Sequence, residues 1–203
     1  RLLTVTGVQT CALPICEYMP IEHYYSTTCG EAEFRQLYQS YQERIQSEGK
    51  LDFDDMLVYT YELLKERPDI CRQWQEKFQY ILIDEFQDIN HIQYEIVRML
   101  SGDRKNLFVV GDDDQSIYRF RGARPEIMLG FTKDYPEAEV ILLNVNYRSS
   151  REIVEGSLRM IANNTKRYDK EIRSEQPYVA PICIHELKSP AEEARRSIQK
   201  KIE

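Results

Sequence analysis

The sequence predicts an α/β protein, a parallel sheet flanked by helices, and two observations carry that expectation. Short continuous apolar runs recur along the chain: "YILIDE" (80–85), "LFVVGD" (107–112) and "EVILLN" (139–144), the first two ending in acidic residues. Apolar positions at helical spacing lie between and after them. Continuous apolar strands alternating with helices are what a parallel sheet covered on both faces requires.

The elements follow in order. Phe34, Leu37, Tyr38, Tyr41 and Ile45 recur at about 3.6 residues, which predicts an amphipathic helix ending near Gly49. A second helix is expected from Asp54 to about Glu66, with Met56, Leu57, Thr60, Leu63 and Leu64 on one face and Pro68 as its stop. Both read as helices that pack into a core. Between the first two strands, Ile92, Ile96, Val97 and Leu100 predict a third helix, and Ile153, Leu158 and Ile161 predict another after 139–144. "APICIHEL" (180–187) reads as one more strand, followed by a helix over 191–202 with Ser189 as its cap and Pro190 in its first turn.

Composition narrows the class. With 203 residues, 42% hydrophobic and 30% charged, the chain has the make-up of a globular domain or parts of two. No apolar run approaches the roughly 18 residues that span a bilayer, and no basic region precedes an apolar stretch as in a secretory signal, so a cytoplasmic location is expected. Five scattered cysteines, at 11, 16, 29, 71 and 183, read as unpaired thiols. The net charge of −7 excludes a global attraction to nucleic acid but not a local one.

Three stretches carry chemistry. "ILIDEFQD" (81–88) sets Asp84 and Glu85 at the carboxyl end of a buried strand, the edge where open α/β sheets bind ligands. Adjacent acids there suit nucleotide hydrolysis, one carboxylate holding Mg²⁺ and the next orienting or deprotonating a water. The plainer alternative is that they end a strand and cap the next helix. "GDDDQSIYRFRGA" (111–123) gathers three acids, Gln115, Tyr118, Phe120 and two arginines, Arg119 and Arg121. Rings interleaved with guanidiniums suit single-stranded nucleic acid, where bases stack and phosphates meet cations. Buried rings under a loop would give the same pattern. "NVNYRSS" (144–150) puts Tyr147 and Arg148 at a strand-to-helix junction, where a tyrosine can stack on a purine and an arginine can reach a γ-phosphate. An ordinary helix start is the alternative there.

Taken in order, the three stretches closely resemble the UvrD/Rep family of superfamily 1 DNA helicases, with "DEFQD" similar to the family's motif II, "VVGDDDQSIYRFRGA" to motif III and "NYRSS" to motif IV. "LDFDDML" and "FRQLYQSYQERI" upstream, and "NNTKRYDKEIRS" and "EEARRSIQKKI" downstream, extend the resemblance over roughly residues 17–203. It implies a RecA-like P-loop NTPase fold: 17–50 as the end of an inserted helical subdomain (1B), 51–138 as the C-terminal half of a first RecA-like domain and 139–203 as the start of a second. By the same resemblance, Asp84 binds Mg²⁺, Glu85 activates the hydrolytic water, and Gln115 senses the γ-phosphate and links it to DNA. Phe120, often Trp in this family, stacks on a base of the tracked strand, with Tyr118 and Arg121 beside it at the DNA. Tyr147 packs on adenine and Arg148 reaches the γ-phosphate, while Gln87 and Asp88 have a supporting role. The implied cofactors are ATP and Mg²⁺, the implied partners single-stranded DNA and duplex junctions, and the implied activity 3′ to 5′ translocation and unwinding.

The phosphate-binding loop G-x-x-x-x-G-K-[ST] that such a motor needs is not found in this sequence. Residues 1–16 contain "VTGVQTCALPI", which back-translates to a common short-read library adapter, so this stretch is expected to be translated adapter joined to a gene fragment. The fragment by itself is expected not to hydrolyse ATP. Two alternatives stay open: the motor part of a helicase-nuclease, and a non-hydrolysing DNA- or nucleotide-binding regulator.

Overall fold

The computed structural model describes residues 30–116 and 123–202. The chain divides into two compact units, one up to Glu139 and one from Val140.

Among the described residues, the first unit opens with three helices. Helix α1 (Glu31–Ser47) buries Phe34, and α2 (Phe53–Glu66) buries Leu64. Asp52 caps α2, its Oδ1 accepting the Asp55 N–H at 2.7 Å while Asp55 Oδ2 accepts the Asp52 N–H at 3.1 Å. The expectation that both helices pack a continuous stripe into the core is corrected: Leu37, Tyr41, Met56 and Leu63 are exposed. Pro68 does stop α2, and it also starts α3 (Pro68–Lys77), which the apolar spacing did not announce. Proline suits that first helical position because its missing N–H would have no partner there.

Strands β1 (Ile81–Ile83) and β2 (Leu107–Val109) pair in parallel, Ile81 opposite Leu107 and Ile83 opposite Val109. Helix α4 (His91–Ser101) connects them, begun by an Asn90–Gln93 capping box. A further helix, α5 (Pro125–Asp134), again starts on a proline and was not foreseen. Phe86, Ile89 and Tyr94 form the core, with Ile83, Val109, Val97, Ile127 and Phe131 packed against it. The Phe86 ring meets Tyr94 and Phe131 edge-on, at 6.1 and 5.5 Å between centroids. Tyr94 donates its hydroxyl to Asp134 Oδ2 at 2.7 Å, tying α4 to α5, and burial together with that carboxylate raises the phenol's pKa. Both sheet faces were expected to be covered. Among the described residues only one is: Leu82 and Phe108, on the opposite face by the strand's period of two, are 72% and 59% exposed.

In the second unit β3 (Val145–Asn146) pairs in parallel with β4 (Arg173–Ser174). Helix α6 (Arg151–Ile161) follows β3, and α7 (Pro190–Ile202) closes the unit, with Ser189 accepting the Glu192 N–H as its cap. The strands expected at 139–144 and 180–187 are not there. Val140, Ile141, Leu142 and Leu143 are exposed, as are Ile182 and Ile184. A strand exists by virtue of a ladder partner, and an apolar run specifies only which faces could be buried. Among the described residues the one ladder of this unit runs through 145–146, just past the apolar run.

Glu152, buried at the start of α6, holds the segment after β4. Its carboxylate accepts N–H groups from Val179 (3.3 Å) and Ala180 (3.1 Å) and the Ser150 hydroxyl (2.9 Å). Burial pushes the Glu152 pKa up, but these donors outweigh it and hold the carboxyl down at about 2. Cys71 and Cys183 are free thiols, and among the described residues no helix is long and apolar enough to cross a membrane.

The depressed Glu152 pKa sets a pH window. Its stabilising contribution is complete above the ordinary value of 4.5 and is lost as pH falls toward about 2. Amide-exchange protection of Val179 and Ala180 should decline across that window, and Glu152→Gln should remove the dependence; protection flat from pH 5 to 2 in the parent chain would refute it.

Candidate functional site

The β1 strand ends at Ile83, and the next two residues, Asp84 and Glu85, are exposed at its carboxyl end. Glu85 adopts φ 52° and ψ 42°, a left-handed conformation that costs a side-chain-bearing residue on the order of 1–3 kcal/mol. Hydrogen bonds on both sides impose it. The Val110 N–H reaches Ile83 O and the Phe86 N–H reaches Val110 O, each at 2.8 Å, while the Asp88 N–H closes a short turn on Glu85 O at 2.9 Å. The chain therefore reverses at Glu85, sending the Phe86 ring into the core and both carboxylates outward. Asp84 Oδ1 accepts the Glu85 N–H at 2.9 Å, which orients the exposed carboxylate.

Beside this turn, the chain leaves β2 through Val110 and Gly111 into Asp112. The Asp112 carboxylate caps the following turn, Oδ1 accepting the Asp114 N–H at 3.2 Å and Oδ2 the side-chain amide of Gln115 at 3.0 Å. Between the two loops lies Gln87. Its Nε2 donates to Glu85 Oε2 at 2.6 Å, and its Oε1 accepts the Asp112 N–H at 2.9 Å. Two residues singled out from sequence, Glu85 and Gln115, thus belong to one hydrogen-bonded chain through Gln87 and Asp112. Asp84 joins it through the backbone of Glu85.

The donor set fits a hard cation of the Mg²⁺ type. Such an ion is held by one or two carboxylates and otherwise by water and phosphate oxygens, and Asp84 offers an oriented, exposed carboxylate. No cluster of three or more metal-binding side chains occurs among the described residues.

In the second unit, Tyr147 and Arg148 follow β3 and precede α6, the junction expected from sequence. Asn146 Oδ1 accepts the N–H groups of Arg148 (3.0 Å) and Ser149 (2.8 Å), forming an Asx turn. The Gln176 side chain donates to Tyr147 O at 2.8 Å and the Ser174 hydroxyl to Ser149 O at 2.7 Å. Both named side chains are exposed, Tyr147 at 69%, and Asn146 to Ser149 line an open depression. Tyr118, Phe120 and Arg121 lie outside the described residues.

Sequence reasoning gave Gln87 only a supporting role and passed over Asp112 and Asn146. An amide two residues past an acidic pair carries no signal of burial. An Asx residue directly before a displayed side chain is a readable turn signal, and it could have found both of the others.

Paired parallel strands that end in acidic turns define an α/β protein whose candidate site lies at the carboxyl edge of its sheet. Residues 15–136 match the UvrD/REP helicase N-terminal domain, and the chain belongs to that family. It is 46% identical to YjcD of Bacillus subtilis over 157 residues, 77% of this chain and 21% of that protein. It is 40% identical to the ATP-dependent DNA helicase Rep of Escherichia coli over 173 residues, 84% of this chain and 26% of Rep. With the ATP-dependent DNA helicase PcrA of Staphylococcus aureus the figures are 41% over 158 residues, 78% and 22%. The chain therefore spans between about a fifth and a quarter of the length of these relatives.

The Asx turn carries a prediction. Asn146→Ala removes the acceptor of two N–H groups, so amide exchange at Arg148 and Ser149 should accelerate at least tenfold with α6 left helical. Unchanged protection would show that the turn does not depend on Asn146.

Proposed function

We propose that this chain is a fragment of an ATP-dependent 3′ to 5′ DNA helicase and carries residues that, in the parent protein, take part in ATP hydrolysis and pass the signal to single-stranded DNA. The observation that carries the reading is the hydrogen-bonded chain from Glu85 through Gln87 and Asp112 to Gln115, at the ends of paired parallel strands in a member of the UvrD/REP helicase family. In this reading residues 51–138 are the C-terminal half of a first RecA-like domain, 139–203 the start of a second, and 17–50 the end of an inserted helical subdomain. The protein acts in the cytoplasm on single strands and duplex junctions.

Each residue has one task. Asp84 holds Mg²⁺, which when bound offsets charge on the phosphates. Glu85 orients the attacking water and accepts its proton. The Gln115 amide senses the γ-phosphate, and a change in its position is felt at Asp112 through the bond they share. Arg148 brings fixed positive charge to the γ-phosphate, where charge develops in the transition state. The exposed Tyr147 ring supports the adenine. Tyr118, Phe120 and Arg121 take the DNA, bases stacking on the rings and phosphate meeting the guanidinium.

Two substitutions in the full-length protein that carries this chain test the reading. Glu85→Gln should abolish DNA-stimulated phosphate release while ATP binding stays within twofold; persistent turnover would overturn the assignment. Phe120→Ala should reduce stimulation by single-stranded DNA about tenfold or more, since a base–aromatic stack is worth roughly 1–3 kcal/mol. Unwinding and stimulation at parental levels would remove the stacking role.

A further inference from the structure

Gln87 is a buried side chain that touches both acidic loops, and the reading above leaves it without a task. It is 2% exposed, and both ends of its amide are used: Nε2 donates to Glu85 Oε2 at 2.6 Å and Oε1 accepts the Asp112 N–H at 2.9 Å. Its backbone carbonyl also accepts the Ser116 hydroxyl at 3.4 Å. Only an amide of this length serves both partners. A glutamate would oppose the Glu85 carboxylate with another, and a methionine would satisfy neither group.

A second observation bears independently on the same amide. A Cβ on Gly111 would stand 2.7 Å from Gln87 Oε1 and 3.1 Å from the Gln87 and Phe86 backbone nitrogens. The β2 loop approaches Gln87 so closely that no side chain fits between them. Glu85, by contrast, is an exposed residue on a reversed turn, with three side-chain torsions to fix. The rigid partner in that bond is Gln87.

We propose that Gln87 is a positioning residue, tying the orientation of the Glu85 carboxylate to the position of the 111–116 loop. The inference rests on the proposed function. Movement of Gln115 with the γ-phosphate or with DNA shifts Asp112, the Asp112 N–H carries Gln87 Oε1 with it, and the other end of the amide turns the Glu85 carboxylate. DNA binding then raises turnover through three consecutive hydrogen bonds, with no contact between DNA and the hydrolytic water.

The test uses the full-length protein with Gln87→Met, Gln87→Glu and Gly111→Ala, measuring kcat and KM for ATP with and without saturating single-stranded DNA. Misplacement of a reacting group by about 1 Å costs roughly 100-fold, so Gln87→Met should lower the DNA-stimulated kcat by about that factor. KM for ATP and affinity for single-stranded DNA should stay within twofold, and the stimulation ratio should fall toward one. Gln87→Glu keeps the acceptor for Asp112 but should not restore stimulation, and Gly111→Ala should give a smaller loss in the same direction. Should the Gln87 variants fail to fold, Gly111→Ala, which leaves every polar group intact, decides alone. Variants that melt earlier but keep the parental stimulation ratio would overturn the proposal, since that is what a purely structural amide would do. Glu85→Gln, run alongside, separates the two ideas. If Glu85→Gln is inactive while the Gln87 variants keep their stimulation, only the positioning role falls; if Glu85→Gln still turns over, the proposed function falls and takes this inference with it.

Discussion

The first unit depends on the burial of one ring. Phe86 is fully buried between Tyr94 and Phe131, two residues after the chain has left the exposed carboxyl end of β1. Bringing the ring inward forces the backbone to reverse at Glu85. Burying such a side chain is worth about 1.5–3 kcal/mol, which matches the 1–3 kcal/mol cost of a left-handed glutamate. The balance is even until the paired bonds between Ile83, Val110 and Phe86 are added. Displaying two carboxylates at the sheet edge is therefore a consequence of core packing, and the site inherits its rigidity from Phe86.

The two units solve one problem the same way. Each must stop a parallel strand and hold the next few residues in a turn that shows specific side chains to solvent. Asp112 does this by accepting the Asp114 N–H, and Asn146 by accepting those of Arg148 and Ser149. A short side-chain acceptor supplies the partner that the ended ladder no longer can. The exposed candidate side chains thus sit on hydrogen-bonded turns, which hold the backbone in place without burying them. The second unit adds Glu152, whose carboxylate gathers two backbone N–H groups and a hydroxyl at the start of α6.

Several elements were readable before any coordinates. The 3.6-residue spacing and the capping signals located α1, α2, α4, α6 and α7 closely, because side-chain period and cap chemistry are local properties of the chain. Expected burial was less accurate: α1 and α2 each bury one apolar residue, although their stripes promised several. Helix α3 escaped notice because Pro68 read only as a stop, when it occupies the first turn of α3, and α5 also begins on a proline. The apolar runs at 139–144 and 180–187 misled for another reason, since Leu143 and Ile184 are 83% and 91% exposed and neither run has a ladder.

What the sequence by itself determined was the order of the motifs, the family they resemble and the chemical types at the site: acids after strands, an amide in the second loop, an arginine at a strand-to-helix junction. These are properties of neighbouring residues. Tertiary structure alone decided that Glu85 is left-handed, that Gln87 is buried, and that its amide joins Glu85 to Asp112, which lies 25 residues beyond Gln87. Hydrogen-bond partners so far apart leave no periodic trace. They exist only once β1 and β2 lie side by side, when register rather than composition sets which loop faces which.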